Sequence, residues 1–453
     1  MMDNNKENTI PGRAAGEIRS VSLVTLGCKV NHCDSASVAT ELRRAGFNLA
    51  AFPSCADAYA INTCTVTAFT DFQARQLVRR ALRANPHASV IVTGCLAQTQ
   101  PQMLADIPGV SAVLGNDHKH LIAALLSRPV NDFPLVLAGD IFRQKNFPPL
   151  PAARLAGRTR AFFKIQDGCD AFCSYCIVPY ARGKSRSLPV ADVSAGAHRF
   201  AGQGCKEIVL TGIHLGNYGH DLSPPVELAR MLENLLPQNR QVRFRLSSIE
   251  PLEVTDAVLS LFDRHDNLCP HLHIPLQSGD DHILKKMKRG YDRNFYQSLI
   301  NRVVREIPDI AIGVDVMVGF PGEGEGEFFR TLSLLEELPV AYLHVFPYSE
   351  RPQTAALEMT PKVADKTKKE RAATLRALGA KKREAFSRKF LGRMLPVLVE
   401  GSPDKKTGLP RGFSHNYLPV ILTQGADCQT NTVVHAKIDG VCDGRLTGEV
   451  VYG

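Results

Sequence analysis

Short apolar runs alternate with stretches of helical periodicity through the first third of the chain. Positions 21–26, 58–62 and 90–93 read as strands, with 35–45 and 72–84 as the helices between them. That order predicts a parallel, doubly wound sheet with right-handed crossovers. A stretch over 145–158, carrying Pro148, Pro149 and Pro151, reads as a linker. The alternation then restarts, with strands at 162–165, 207–210, 242–246, 271–274, 312–317 and 342–346. Six such units predict an open, partial (βα)6 barrel, in which chemistry collects on loops at the carboxyl ends of the strands. Beyond residue 393 the period changes to two, and 394–400, 418–422, 432–438 and 448–451 predict a small antiparallel β-barrel. The expected division is a disordered tail over 1–19, a first domain over 20–144, the linker, a second domain over 159–388 and the barrel over 389–453.

A chain of 453 residues with 44% hydrophobic and 22% charged residues has the balance of a globular protein of two or three domains. The first twenty residues are polar, and no segment reaches the ~18 uninterrupted apolar residues of a membrane span. A cytoplasmic monomer without a membrane partner is expected. The net charge of +9 is concentrated between residues 361 and 393, where twelve Lys and Arg face three acids. Ala372, Leu375, Leu378, Phe386 and Phe390 fall on one stripe of a helix there. The opposite, basic face favours a polyanion, with Lys368, Lys369, Arg371, Lys381, Lys382 and Arg383 as candidate RNA contacts.

Twelve cysteines in a reducing compartment call for ligands, nucleophiles or small core residues rather than disulfides. Cys169-x3-Cys173-x2-Cys176 follows directly on the first strand of the second domain. Three thiolates on one short loop can hold three irons of a [4Fe–4S] cluster and leave the fourth open. A zinc site would want a fourth ligand and usually a second Cys-x2-Cys pair, which the chain lacks. Cys28, Cys64 and Cys95 each close an apolar strand of the first domain. Ligands of a doubly wound sheet gather at that end of its strands, so three distant cysteines converge on one rim.

The Cys169–Cys176 motif resembles the radical S-adenosylmethionine superfamily. The resemblance implies that the open iron chelates S-adenosylmethionine, whose cleavage gives a 5′-deoxyadenosyl radical. It also puts Tyr175 near the adenine and Thr211-Gly212 near the amino group of that cofactor. Arg245 and Ser247, Gln277, and Gly319-Phe320 end later strands on the same rim and are further cofactor-binding candidates.

The segments Leu26-Gly27-Cys28-Lys29-Val30-Asn31, Ile61-Asn62-Thr63-Cys64-Thr65-Val66-Thr67 and Thr93-Gly94-Cys95 look like the N-terminal domain of the methylthiotransferases. That family carries this domain, a radical S-adenosylmethionine domain and a small RNA-binding β-barrel called TRAM, in the same order. The C-terminal Gly412-Phe413-Ser414-His415-Asn416-Tyr417-Leu418 resembles a TRAM segment. The likeness implies two [4Fe–4S] clusters, an electron donor such as flavodoxin or ferredoxin, and tRNA as substrate. Gly-Cys-Lys-Val-Asn resembles the bacterial branch acting on N6-threonylcarbamoyladenosine beside the anticodon. The carboxylate of that nucleoside asks for a cation, with Lys29 or Arg182 as candidates. Isopentenyl-adenosine, a ribosomal-protein aspartate and a non-enzymatic iron–sulfur RNA-binding role are the alternatives.

Overall fold

Strands β3 (Ala58–Thr63) and β4 (Ser89–Gly94) are buried at every residue, as parallel strands covered on both faces must be. They form the centre of a sheet with β1 (Ser20–Thr25), β2 (Asn48–Ala50), β5 (Val110–Leu114) and β6 (Leu135–Leu137). Its order is β2-β1-β3-β4-β5-β6, parallel throughout. The computed structural model describes residues 18–127, 134–148, 151–154, 157–424 and 428–451. Most of the expected tail and parts of the expected linker lie outside these. The strand order turns back between β1 and β3, and the crevice at such a switch point is where ligands bind. Helix α1 (Lys29–Arg44) follows β1, α2 (Ala68–Ala84) follows β3, and α3 (Cys95–Thr99) follows β4.

Helix α1 starts six residues before the expected position. Its first turns carry Asn31, Asp34 and Ser35, which break the apolar pattern but are buried, the first two against Arg182 of the second domain and Ser35 against Thr25 and Asn62. Strands β2, β5 and β6 were not legible either; β2 and β6 are three residues long.

The second domain holds β7 (Ala161–Lys164), a two-residue pair β8 (Gln166–Asp167) with β9 (Arg186–Ser187), then β10 (Glu207–Thr211), β11 (Arg243–Leu246), β12 (His271–His273), β13 (Ala311–Val318) and β14 (Tyr342–Pro347). Parallel trios β7-β10-β11 and β12-β13-β14 are joined by the bridges Phe244↔Leu268 and Ser248↔His273. The result is the open six-unit barrel. Phe163, Ile208, Phe244, Leu272 and Ile312 pack toward the helices. The alternate positions, Lys164, Glu207, Arg245, His273, Asp315 and His344 among them, face the interior.

The first domain docks against both edges of this open barrel. On the β7 side Asp34 bonds Lys164 at 2.5 Å, Lys119 at 2.6 Å and Arg182 at 3.1 Å, while Arg182 also holds Asp167 at 2.9 Å. On the β14 side Arg351 donates to Thr65 (3.0 Å) and pairs with Asp71, and the Ala68 amide donates to Ser349 (3.0 Å). The sheet therefore closes the mouth that six strands leave open.

The C-terminal strands β15 (Met394–Val399), β16 (Arg411–Ser414), β17 (Pro419–Gln424), β18 (Val433–Cys442) and β19 (Arg445–Val451) close in the order β15-β16-β17-β19-β18. Four pairings are antiparallel, and β17 with β19 is parallel. This barrel sits beneath the partial barrel. Arg243 donates to the Phe413 carbonyl (2.9 Å), and Arg160 lies 4.4 Å over the Phe413 ring. The basic helix (Asp365–Arg388) serves both cores: Ala372 and Leu375 join the second domain, while Phe386 and, just past the helix end, Phe390 join the C-terminal barrel. Among the described residues no helix is long and apolar enough to cross a membrane.

Candidate active site

Strand β7 leads through β8 to Gly168, whose φ of +76° and approach to the Lys184 carbonyl (a Cβ would lie 1.9 Å away) admit only glycine. The loop then turns over the carboxyl end of the barrel, with the Cys169 amide bonded to Gly183 (3.0 Å) and the Cys176 amide to Cys173 (2.9 Å). Burial pushes the Cys176 thiol up to about 12, and Cys173 and Cys169 beside it add to the rise. Cations answer these sulfurs. Arg289 donates to Cys173 Sγ at 3.3 Å and pairs with Glu250, and His214 Nδ1 lies 3.4 Å from Cys169 Sγ. Burial opposes a charge on His214, but hydrogen bonds to Cys169 and Glu253 outweigh it and raise the imidazole to about 10.

The second triad is assembled by adjacent strands. Cys28 caps the start of α1 after β1, Cys64 follows β3, and Cys95 opens α3 after β4. A Cβ on Gly27 would lie 2.7 Å from that of Cys64, and one on Gly94 2.3 Å from the Thr63 carbonyl. Both glycines let the strand ends crowd together at the switch point. Burial pushes Cys64 up to about 12, with Cys95 and Cys28 contributing; burial also raises Cys28, and Arg182 opposes that rise. The Arg182 Nε is buried without a partner. Its electrostatic neighbours include Cys95 and Cys28, so an N–H donor stands ready beside this triad. Asn116 donates to Cys95 Sγ at 3.8 Å and to the Ala181 carbonyl at 2.7 Å, tying the triad to the second domain.

Among the described residues only His273, Asp315 and His344 bring three ligand atoms to within 4.8 Å of one another. Both cysteine triads are wider than one tetrahedral zinc would hold them, at ~3.8 Å between sulfurs for a Zn–S of ~2.3 Å. Three thiols on one loop with cationic donors around them are the donor chemistry of an iron–sulfur cluster at Cys169, Cys173 and Cys176.

The remaining expected residues divide. Tyr175 packs with Phe320, Tyr348 and Met287 beside the loop. Thr211 turns its hydroxyl to the Val209 carbonyl (3.1 Å), and Gly212 leaves room for Gln166, which accepts the His214 amide at 2.8 Å. Ser247 has a buried hydroxyl without a partner. Gln277 has φ +65° and Gly319 +75°; the Gln277 amide donates to the Asp315 carbonyl (2.9 Å) and the Gly319 amide to Glu323 (2.8 Å). The Phe320 ring is wholly in the core, and its carbonyl accepts the Glu323 amide at 2.9 Å.

Arg245 is corrected: it points to the floor, bonded to Glu207 at 2.9 Å and to the Ser414 carbonyl at 3.4 Å. Arg182 is corrected as a substrate cation, because Asp34, Asp167 and Asn31 already take its guanidinium. Of the six basic-helix residues, Lys369, Lys381 and Arg383 are exposed. The other three are occupied: Arg371 by Glu323, Lys382 by the Glu336 and Leu338 carbonyls, Lys368 by Asp365 and the face of Gly319. Sequence reading missed Arg289, Glu250 and Asp167.

A partial barrel with a three-cysteine loop after its first strand defines a radical S-adenosylmethionine enzyme. The chain matches the Radical SAM superfamily over residues 163–335 and the uncharacterized protein family UPF0004 over residues 20–115. It is 37% identical to the threonylcarbamoyladenosine tRNA methylthiotransferase MtaB of Bacillus subtilis, over 92% of this chain and 93% of that protein. It is 30% identical to the tRNA-2-methylthio-N(6)-dimethylallyladenosine synthase of Fusobacterium nucleatum, over 96% of this chain and 100% of that protein. The radical S-adenosylmethionine methyltransferase TsrM of Kitasatospora setae shares the fold at a TM-score of 0.54 and 16% identity, covering 75% of this chain and 77% of that one. The chain belongs to the tRNA methylthiotransferases of the radical S-adenosylmethionine superfamily. As a member it takes a [4Fe–4S] cluster and S-adenosylmethionine and acts on tRNA.

Proposed function

We propose that this enzyme adds a methylthio group to carbon 2 of N6-threonylcarbamoyladenosine next to the anticodon. A [4Fe–4S] cluster bound by Cys169, Cys173 and Cys176 supplies the open iron and the electron for cleaving S-adenosylmethionine. Around it Arg289 and His214 balance the thiolates, and Tyr175, Gly212, Gln277, Gly319 and Phe320 frame the cofactor. Cys28, Cys64 and Cys95 hold a second [4Fe–4S] cluster, toward which Arg182 offers its free Nε–H. A flavodoxin or ferredoxin is the electron donor, and the chain works as a monomer.

The substrate reading rests on Lys29. This residue follows Cys28 and reaches the barrel interior, where its electrostatic neighbours are Tyr417, Arg160, Arg245 and Glu207. Burial lowers its pKa, so an anionic partner would relieve that penalty. A threonylcarbamoyl carboxylate is such a partner, whereas a prenyl group would leave the ammonium buried against hydrocarbon. Relatives named for the threonylcarbamoyl substrate also reach higher identity, 39% against 32%.

The test offers the reconstituted enzyme tRNAs carrying either modification and reads the nucleosides by mass spectrometry. The methylthio product should appear on threonylcarbamoyladenosine and be reduced at least tenfold by Lys29→Met. Turnover of the isopentenyl substrate alone overturns the assignment.

A further inference from the structure

Three interior side chains on neighbouring strands belong to neither cysteine triad. His273 ends β12, Asp315 lies in β13, and His344 of β14 is the register partner of Asp315. All three face the inside of the barrel. Asp315 Oδ1 is 2.9 Å from His273 Nε2 and 3.4 Å from His344 Nδ1.

His273 is 7% exposed, and its Nε2 pairs at 2.9 Å with Asp315, whose same oxygen also meets His344. One carboxylate oxygen therefore faces two imidazole nitrogens, the donor set of two nitrogens and one oxygen that can hold a divalent ion in place of the shared protons. Around a tetrahedral zinc, nitrogen and oxygen ligands sit about 3.3 Å apart. The three atoms here are within 4.8 Å of one another, so small side-chain shifts bring them to that spacing. The Tyr342 hydroxyl lies 3.4 Å from His273 Nδ1 and 2.7 Å from His271 Nε2. That is the outer hydrogen bond that fixes the ring of a ligating histidine. The His344 side chain is 49% exposed, which leaves one side of the group open to the cavity.

We propose that His273, Asp315 and His344 form a binding site for one divalent transition-metal ion inside the partial barrel. Two imidazoles and one carboxylate select a borderline ion such as zinc or iron(II) over calcium or magnesium, and such a triad leaves coordination positions free. A single carboxylate leaves the bound ion with a charge of +1, so the free positions favour an anionic oxygen donor.

The experiment uses the full chain, anaerobically reconstituted with its iron and sulfide. It is dialysed to equilibrium against buffered zinc, and zinc and iron are counted in one sample by mass spectrometry. One zinc per chain should bind above the iron already present. Asp315→Asn and His344→Gln should each weaken it at least tenfold with iron unchanged; the second variant alters a half-exposed side chain, which keeps a folding defect apart from a lost ligand. No zinc in the unaltered protein overturns the proposal, as does zinc retained by both variants or zinc taken up only as iron is lost. A purely hydrogen-bonded role for the triad would give the first of these results. The count is made without tRNA or S-adenosylmethionine, so its failure leaves the substrate reading untouched.

Discussion

Arg182 is 1% exposed and joins Asp167 and Asp34 from two domains while keeping one N–H beside the second cysteine triad. Asp34, Asp167, Lys119, Lys164 and Arg182 are all buried, and their sum is +1. An isolated excess charge in a protein interior is costly, and three thiolates nearby offset it. Replacing Arg182 by Met should cost about 3–5 kcal/mol, the usual penalty for breaking a buried ionic network. It should also strip iron selectively from Cys28, Cys64 and Cys95, leaving about half the total. Thermal melts and iron analysis check both, and Arg182→Lys, which keeps the charge but loses the fork, should fall between. Full iron retention in the Met variant would remove Arg182 from the site. The cysteines could be picked out in the sequence because their spacing and strand-end positions are local signals. Arg289 and Lys119 could not, since their partners lie 116 and 85 residues away and nothing beside either marks a charge to meet.

At the scale of elements, periodicity located all six barrel strands because each shows one face to a helix layer and one to the interior. It failed where an element is buried on every side by polar partners, as in the first two turns of α1. It failed again at β16, whose Arg-Gly-Phe-Ser has little strand propensity and is held by barrel closure. The basic helix was legible as an amphipathic element, but not which of its cations are spent. Arg371 anchors Glu323 and Lys382 caps two carbonyls, so these hold the helix down rather than meeting phosphate. Changing Lys369, Lys381 and Arg383 together to Gln should weaken tRNA binding. It should also lower the salt slope by up to ~0.9 per lost phosphate contact, with iron content and melting temperature unchanged. Arg371→Gln should lower the melting temperature and leave that slope alone. Binding isotherms at several salt concentrations separate the two effects.

Over the whole molecule, a proline-marked break between two runs of strand–helix alternation and a later change to period two were readable, but the docking of the parts was not. Arg243, Arg245, His271 and His415 meet where the partial barrel rests on the C-terminal one. Burial, with Arg243 and Arg245 adding to it, lowers His415 to about 4; burial and Arg245 hold His271 well below its ordinary value. Both are neutral when folded and free to take a proton at ~6.5 when unfolded. Their contribution is complete above pH 6.5 and shrinks as the pH falls, by about 1.4 kcal/mol per unit for each histidine until it protonates in the fold. Melting temperature should therefore drop steadily from pH 6.5 to 5, and His415→Gln should lessen that dependence without abolishing it. A flat profile in the unaltered protein would mean that the junction does not hold these rings neutral.

The shared core beneath the barrel also bears on how this chain can be cut. Ala311, Ala341 and Tyr342 of the catalytic half pack with Leu395, Val397 and Val420 of the last domain, and Phe390 of the basic helix's trailing turn goes with them. The C-terminal barrel is thus a foundation, not an appendage. Removing it would bare an apolar seam, free the Arg243 and Arg245 contacts and leave Lys29 without its tyrosine neighbour. No two-domain core enzyme is separable from this protein, and exchanging its C-terminal barrel for another would require rebuilding the floor of the reaction chamber.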